Sequence, residues 1–94
     1  MATLKVLVVD DEPGIRSGIN RIFRNFRVSD PFMEEDFDFE LIDAESGEKA
    51  IEVIEQQPID IILLDNKLPG MDGIEVLEYI RSKQYDTYMM MITS

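Results

Sequence analysis

The stretch Ile61–Gly73 reads IILLDNKLPGMDG. Four branched apolar residues stop at Asp65, and a polar loop punctuated by Pro69, Gly70 and Gly73 follows. A short apolar run bounded by turn signals reads as a strand buried on both faces. Strands of that kind belong to parallel sheets covered by helices. A carboxylate at the carboxyl end of such a strand stands where open parallel sheets bind their ligands.

Outward from this stretch, strands and helices alternate. Ile59–Leu64 (IDIILL) is the most apolar of four predicted strands. Lys5–Val9 (KVLVV), Phe39–Ile42 (FELI) and Thr87–Ile92 (TYMMMI) are the first, second and fourth. Pro13 suits the first turn of a helix. Ile15, Ile19, Ile22, Phe23 and Phe26 recur at helical spacing, which predicts a helix over 13–26. Ser46 reads as the N-cap of a second helix that carries Ala50, Ile51 and Ile54 inward and ends before Pro58. Asp72 and Glu75 are spaced like a capping box, opening a third helix with Ile74, Leu77 and Ile80 on its inner face. Arg27–Phe37 has no clear period, contains Asp30-Pro31, and reads as a long surface loop. The alternation implies βα units, right-handed crossovers and a parallel α/β sheet in one domain over residues 1–94.

Composition narrows the chemistry. Twenty acidic against nine basic residues give a formal charge of −11, which repels phosphate backbones and favours cations and basic partners. Direct nucleic-acid binding by this chain is therefore not expected. There is no cysteine and no histidine, so thiolate sites, disulfides, the commonest general base and the commonest zinc ligand are all excluded. Any bound metal is a hard one such as Mg²⁺, Mn²⁺ or Ca²⁺. No apolar run approaches the roughly 20 residues of a membrane span, and the N-terminus runs straight into a strand. A soluble, cytoplasmic chain with no membrane association is the expectation.

The strand ends carry suggestive residues: Asp10 and Asp11 after the first, Asp65 after the third, Thr93 after the fourth. If the first and third strands are neighbours, three carboxylates converge, and a divalent cation relieves their repulsion. Mg²⁺ suits such a place because it takes one or two carboxylates and keeps several waters. Singly, each residue also has a plainer explanation. Asp10 and Asp11 can form a turn that favours a helix N-terminus. Asp65 can end a strand, and Thr93 can be an ordinary β-branched strand residue.

Three segments, VLVVDDEPGIR (6–16), DIILLDNKLPGMDG (60–73) and MMMITS (89–94), resemble the receiver domain of bacterial two-component response regulators in order and approximate spacing. The resemblance implies a flavodoxin-like open parallel sheet, with the four predicted strands in the spatial order 2-1-3-4. It implies that Asp65 accepts a phosphoryl group, from a phosphohistidine or a small phosphodonor, as an acyl phosphate. It implies Mg²⁺ (or Mn²⁺) held by the carboxylates of Asp11 and Asp65, by Asp10 through water, and by the backbone carbonyl of Lys67. Thr93 then hydrogen-bonds a phosphoryl oxygen, and the Lys67 side chain either reaches the phosphoryl group or projects to solvent. The implied partner is a histidine kinase or phosphotransfer protein, and the implied role is signalling rather than turnover as an enzyme.

Receivers also carry a further strand ending in a phosphate-binding lysine, with two flanking helices. This sequence stops at Ser94, so it resembles a receiver truncated at its C-terminus. The fourth strand is then expected to be an apolar sheet edge, covered by a second copy of the chain or by an exchanged element. An alternative function follows from that edge: a phosphorylation-incompetent interaction module that associates through it. A phosphohydrolase of haloacid-dehalogenase type also uses a strand-end aspartate, but wants an acid two residues later, where this chain has Lys67.

Overall fold

The β-branched runs and amphipathic stretches become eight elements in a computed structural model. In chain order these are β1 (Ala2–Val9), α1 (Pro13–Phe23), β2 (Val28–Asp30), β3 (Glu35–Ala44), α2 (Gly47–Gln56), β4 (Ile61–Asp65), α3 (Gly73–Ser82) and β5 (Tyr88–Ile92). The structure describes residues 2–24, 28–30, 35–83 and 86–92, with the backbone alone at 28–30 and 35.

The strands form one sheet in the order β2-β3-β1-β4-β5. β1 lies between β3 and β4 and is parallel to both, and β4 is parallel to β5. The four predicted strands therefore stand in the predicted order 2-1-3-4. One strand was not expected. β2 falls in the stretch read as a loop and pairs antiparallel with the start of β3, Val28 opposite Phe37 and Asp30 opposite Glu35. β3 is correspondingly longer than the predicted Phe39–Ile42. Three residues are too few to show a period, and β2 exists through its hairpin partner rather than its own pattern.

Alternation along the strands sorts side chains onto two faces. Leu7, Val9, Ala44, Ile62 and Leu64 face one side and form the main core with Ala50, Val53 and Ile54 of α2 and Val76 and Ile80 of α3. Ile51 and Leu77, expected inward, are half-buried, and Ile74 is exposed. The helix caps are as the sequence predicts. Ser46 Oγ accepts from Lys49 N at 3.1 Å, and Asp72 Oδ1 accepts from Glu75 N at 3.0 Å.

α1 covers the opposite face. It stops at Phe23, short of the expected end; Phe26 lies outside the described residues. Phe23 meets Phe39 edge-on with ring centroids 5.1 Å apart. Ile15 and Ile22, two of the apolar residues whose spacing predicts this helix, are exposed. On the same side of the sheet, β5 leaves Tyr88 and Met90 exposed, as expected of an edge strand. No helix among the described residues is long and apolar enough to cross a membrane.

Ile62 has no solvent exposure and sits on a central strand. Replacing it with alanine leaves a cavity between sheet and helices. Ile62→Ala should lower the unfolding free energy by about 2–5 kcal/mol, read as a reduced urea midpoint at unchanged slope.

Candidate functional site

The register of β1 against β4 sets the site. Val9 is opposite Leu64, so the next residues, Asp10 and Asp65, emerge side by side at the carboxyl edge of the sheet. These are the two buried charged side chains among the described residues, at 5% and 7% exposure. Carboxylate oxygens from Asp10, Asp11 and Asp65 all lie within 4.8 Å of one another. They open into a cleft of about 460 Å³ lined also by Glu12, Ile15, Lys67 and Ile92.

Each buried carboxylate is partly satisfied by nearby backbone. Asp10 Oδ1 accepts from Glu12 N at 2.9 Å, which makes the tight turn from β1 into α1. Both peptides flanking the Asp10 Cα are held as well: the Asp10 N–H donates to Ala44 O at 3.1 Å, and the Asp10 carbonyl accepts from Arg16 Nη1 at 2.6 Å. Asp65 Oδ1 accepts from Lys67 N at 3.0 Å. Asp11, in contrast, is exposed.

The loop after Asp65 is fixed from below. Leu68 is buried, and Met71 packs against the main core. Gly70 has φ of +72°, a left-handed conformation that glycine adopts without strain. Glu48 Oε1, on the first turn of α2, receives Met71 N at 3.4 Å. Gly73 then starts α3 directly against the site, where a Cβ would come within 2.6 Å of Asp65 O and 2.8 Å of Asn66 Cα. The Pro69-Gly70 turn expected from the sequence is therefore one part of a loop tied down at several points.

The predicted site residues fare as follows. Asp10, Asp11 and Asp65 are brought together. Lys67 lines the same cleft with its side chain exposed. Thr93 lies outside the described residues, and the strand leading to it ends at Ile92, opposite Asp65. Glu12, Ile15 and Ile92 are additions to the cleft, and Arg16 supports it through the Asp10 carbonyl. Glu12 and Arg16 flank the acidic pair in the DDEPGIR segment, but nothing in their residue types marks them as site-forming.

The donor set fits Mg²⁺. Opposite ligands around an octahedral Mg²⁺ stand about 4.2 Å apart, and the ion normally keeps several waters. Oxygens within 4.8 Å of one another match that span after a slight contraction, or with a water in place of one direct ligand. All donors are hard oxygens, as this ion prefers.

Comparison with known proteins gives a consistent picture. Residues 6–94 match the family model of the response regulator receiver domain. Sporulation initiation phosphotransferase F of Bacillus subtilis (strain 168) is 33% identical over 81 residues, covering 86% of this chain and 56% of that protein. The nitrate/nitrite response regulator protein NarL of Escherichia coli (strain K12) is 35% identical over 78 residues, covering 83% of this chain and 32% of that protein. The chain thus spans little more than half the length of the first relative and about a third of the second. Among solved structures, the response regulator TrrA of Thermotoga maritima, in complex with Mg²⁺ and BeF, has a TM-score of 0.72 at 32% identity, over 96% of this chain and 69% of that one. The signal receiver domain of a LuxO repressor protein from Vibrio parahaemolyticus has a TM-score of 0.79 at 27% identity, over 97% and 62%.

The contact at Gly73 is testable. A methyl group there meets main chain at its two nearest contacts, before the movable side chain of Met91. Gly73→Ala should cost about 1–3 kcal/mol in chemical denaturation, since overpacking forces backbone to shift. In the same variant, the backbone amide resonances of Asp65 and Asn66 should move.

Proposed function

This chain belongs to the response regulator receiver domain family, and on that premise we propose that it is a phosphoacceptor whose acceptor is Asp65. Receiver domains are signalling domains that interact with histidine kinases or phosphotransfer proteins and bind Mg²⁺ at an acidic pocket. The observation that carries the proposal is the convergence of Asp10, Asp11 and Asp65 at the carboxyl ends of β1 and β4.

Asp65 needs no general base, because its carboxylate is the nucleophile. One of its oxygens attacks the phosphorus of a phosphohistidine. The P–O bond of an acyl phosphate forms, the P–N bond breaks, and the imidazole leaves with the electron pair. The hydrogen bond from Lys67 N to Oδ1 fixes the carboxylate's orientation before attack. Asp11 and Asp65 would hold Mg²⁺ directly, Asp10 through water, and the Lys67 carbonyl would add a further ligand. When bound, the ion offsets the charge that builds on the phosphoryl oxygens. Thr93 would hydrogen-bond one of those oxygens. A relative 32% identical to this chain was crystallised in complex with Mg²⁺ and BeF, which supports a Mg²⁺ site here as well.

Incubation with acetyl phosphate and Mg²⁺ tests the proposal. Intact-mass measurement should show one added phosphoryl group, absent from Asp65→Asn and absent when EDTA replaces Mg²⁺. An unmodified wild-type chain, or an Asp65→Asn chain that is still modified, would contradict it.

A second reading concerns association. Tyr88 and Met90 on β5 are 80% and 59% exposed, on a strand with no charged residue to discourage edge pairing. A second copy covering this edge would bury them. Sedimentation equilibrium should then report a dimer that Met90→Lys dissociates, whereas a wild-type monomer at high concentration sinks this reading.

A further inference from the structure

Arg16 is a basic side chain bonded to the backbone of the turn that carries the acidic pair. It lies near the start of α1 and its side chain is only 16% exposed. Nη1 donates to the backbone carbonyl of Asp10 at 2.6 Å, and Nε lies 3.8 Å from Asp43 Oδ2 on β3. Asn20 completes the arrangement: Nδ2 donates to Asp43 Oδ1 at 2.9 Å and to the Arg16 carbonyl at 2.8 Å. The guanidinium thus spans from α1 to the end of β1 and to β3.

We propose that Arg16 is a positioning residue for the cation site, fixing the Asp10–Asp11 peptide plane so that the exposed carboxylate of Asp11 is aimed into the cleft. The inference rests on the reading that Asp10, Asp11 and Asp65 hold Mg²⁺. The carbonyl oxygen of Asp10 and the nitrogen and Cα of Asp11 share one rigid plane. Ala44 O holds the preceding Val9–Asp10 peptide through the Asp10 N–H, and Arg16 holds the Asp10–Asp11 plane itself through its carbonyl. With both anchors in place, the direction in which Asp11 leaves the main chain is set. Asp11 is exposed, so packing does not set that direction instead. A charged donor makes a stronger hydrogen bond than a neutral one, and the planar fork lets two nitrogens engage two acceptors together.

Positioning and charge act with opposite signs here, which makes the role measurable. A guanidinium bonded to the turn that carries Asp10 and Asp11 repels a nearby Mg²⁺. If Arg16 acted through charge alone, removing the charge would tighten Mg²⁺ binding, and keeping it on a lysine would change nothing. Positioning predicts weaker binding in both cases, because neither glutamine nor lysine reproduces the two-point fork. Loss of partners that orient metal ligands typically weakens metal binding by about 10- to 100-fold.

The experiment is calorimetric titration of Mg²⁺ into the full chain, wild type, Arg16→Lys, Arg16→Gln and Asp65→Asn, with thermal unfolding followed in parallel. The expected result is a Kd about 10-fold higher in Arg16→Lys and at least as high in Arg16→Gln. An unchanged Kd in Arg16→Lys, or a tighter one in Arg16→Gln, overturns the inference, as does a lowered Tm with unchanged Kd. If Arg16→Gln fails to fold, Arg16→Lys decides alone. Absence of saturable Mg²⁺ binding by the wild type, or binding undiminished in Asp65→Asn, sinks the Mg²⁺ reading itself and the Arg16 role with it. Wild-type binding that Asp65→Asn weakens and Arg16→Lys leaves intact sinks the Arg16 role only.

Discussion

Three carboxylates share a space less than 4.8 Å across because β1 and β4 are neighbours in fixed register. Placing like charges together opposes folding, so something else must hold the strands there. Here it is the core: Leu7, Ile62 and Leu64 have no solvent exposure, and Val9 almost none. A slip of one residue between the strands would turn this apolar set toward the wrong face, at a cost far above that of the acidic cluster. The site is therefore a consequence of packing several residues away. Its chemistry is held against local electrostatic preference by burial elsewhere.

The surrounding backbone converts that coarse placement into a shaped cleft. Close approach is the recurring device. Gly73 lets the start of α3 press on Asp65 and Asn66, and Gly47 lets α2 press on Met71, where a Cβ would come within 2.7 Å of Met71 O. Glu48 ties the intervening loop to α2. The loop after Asp65 is thus clamped between two helix starts, while the turn after β1 is clamped by Ala44 and Arg16. The proposed acceptor and the proposed cation ligands thus sit on main chain held by hydrogen bonds and close packing, as in-line phosphoryl transfer would require.

Much of this was legible in the residues. The apolar run ending at Asp65, the caps at Ser46 and Asp72, and the strand–helix alternation each carry a local physical cause, and the structure shows all of them. The longer reach of β3 was also written in the alternation of Phe37, Phe39 and Leu41 with Asp36, Asp38 and Glu40, although its apolar centre alone reads as a strand. β2 left no mark, since a three-residue strand depends on its partner. Helical spacing located α1 without saying which of its apolar residues would be covered: Phe23 makes the ring contact with β3, while Ile15 and Ile22 are exposed. Arg16 was invisible for a different reason. Its principal partner is a backbone carbonyl, which every residue type offers.

If Asp10, Asp11 and Asp65 hold Mg²⁺ as proposed, the ion relieves the repulsion among them. Mg²⁺ at about 100-fold above its Kd should add about 2.7 kcal/mol to stability, or on the order of 10 °C in Tm for a domain of this size. The most direct measurement compares thermal unfolding of wild type and Asp11→Asn, each in EDTA and in excess Mg²⁺. Asp11→Asn should melt above wild type in EDTA, because one repelling charge is gone, and should gain little from Mg²⁺ while wild type gains strongly. A wild type indifferent to Mg²⁺, or an Asp11→Asn variant that melts lower in EDTA and gains as much, would contradict the proposal.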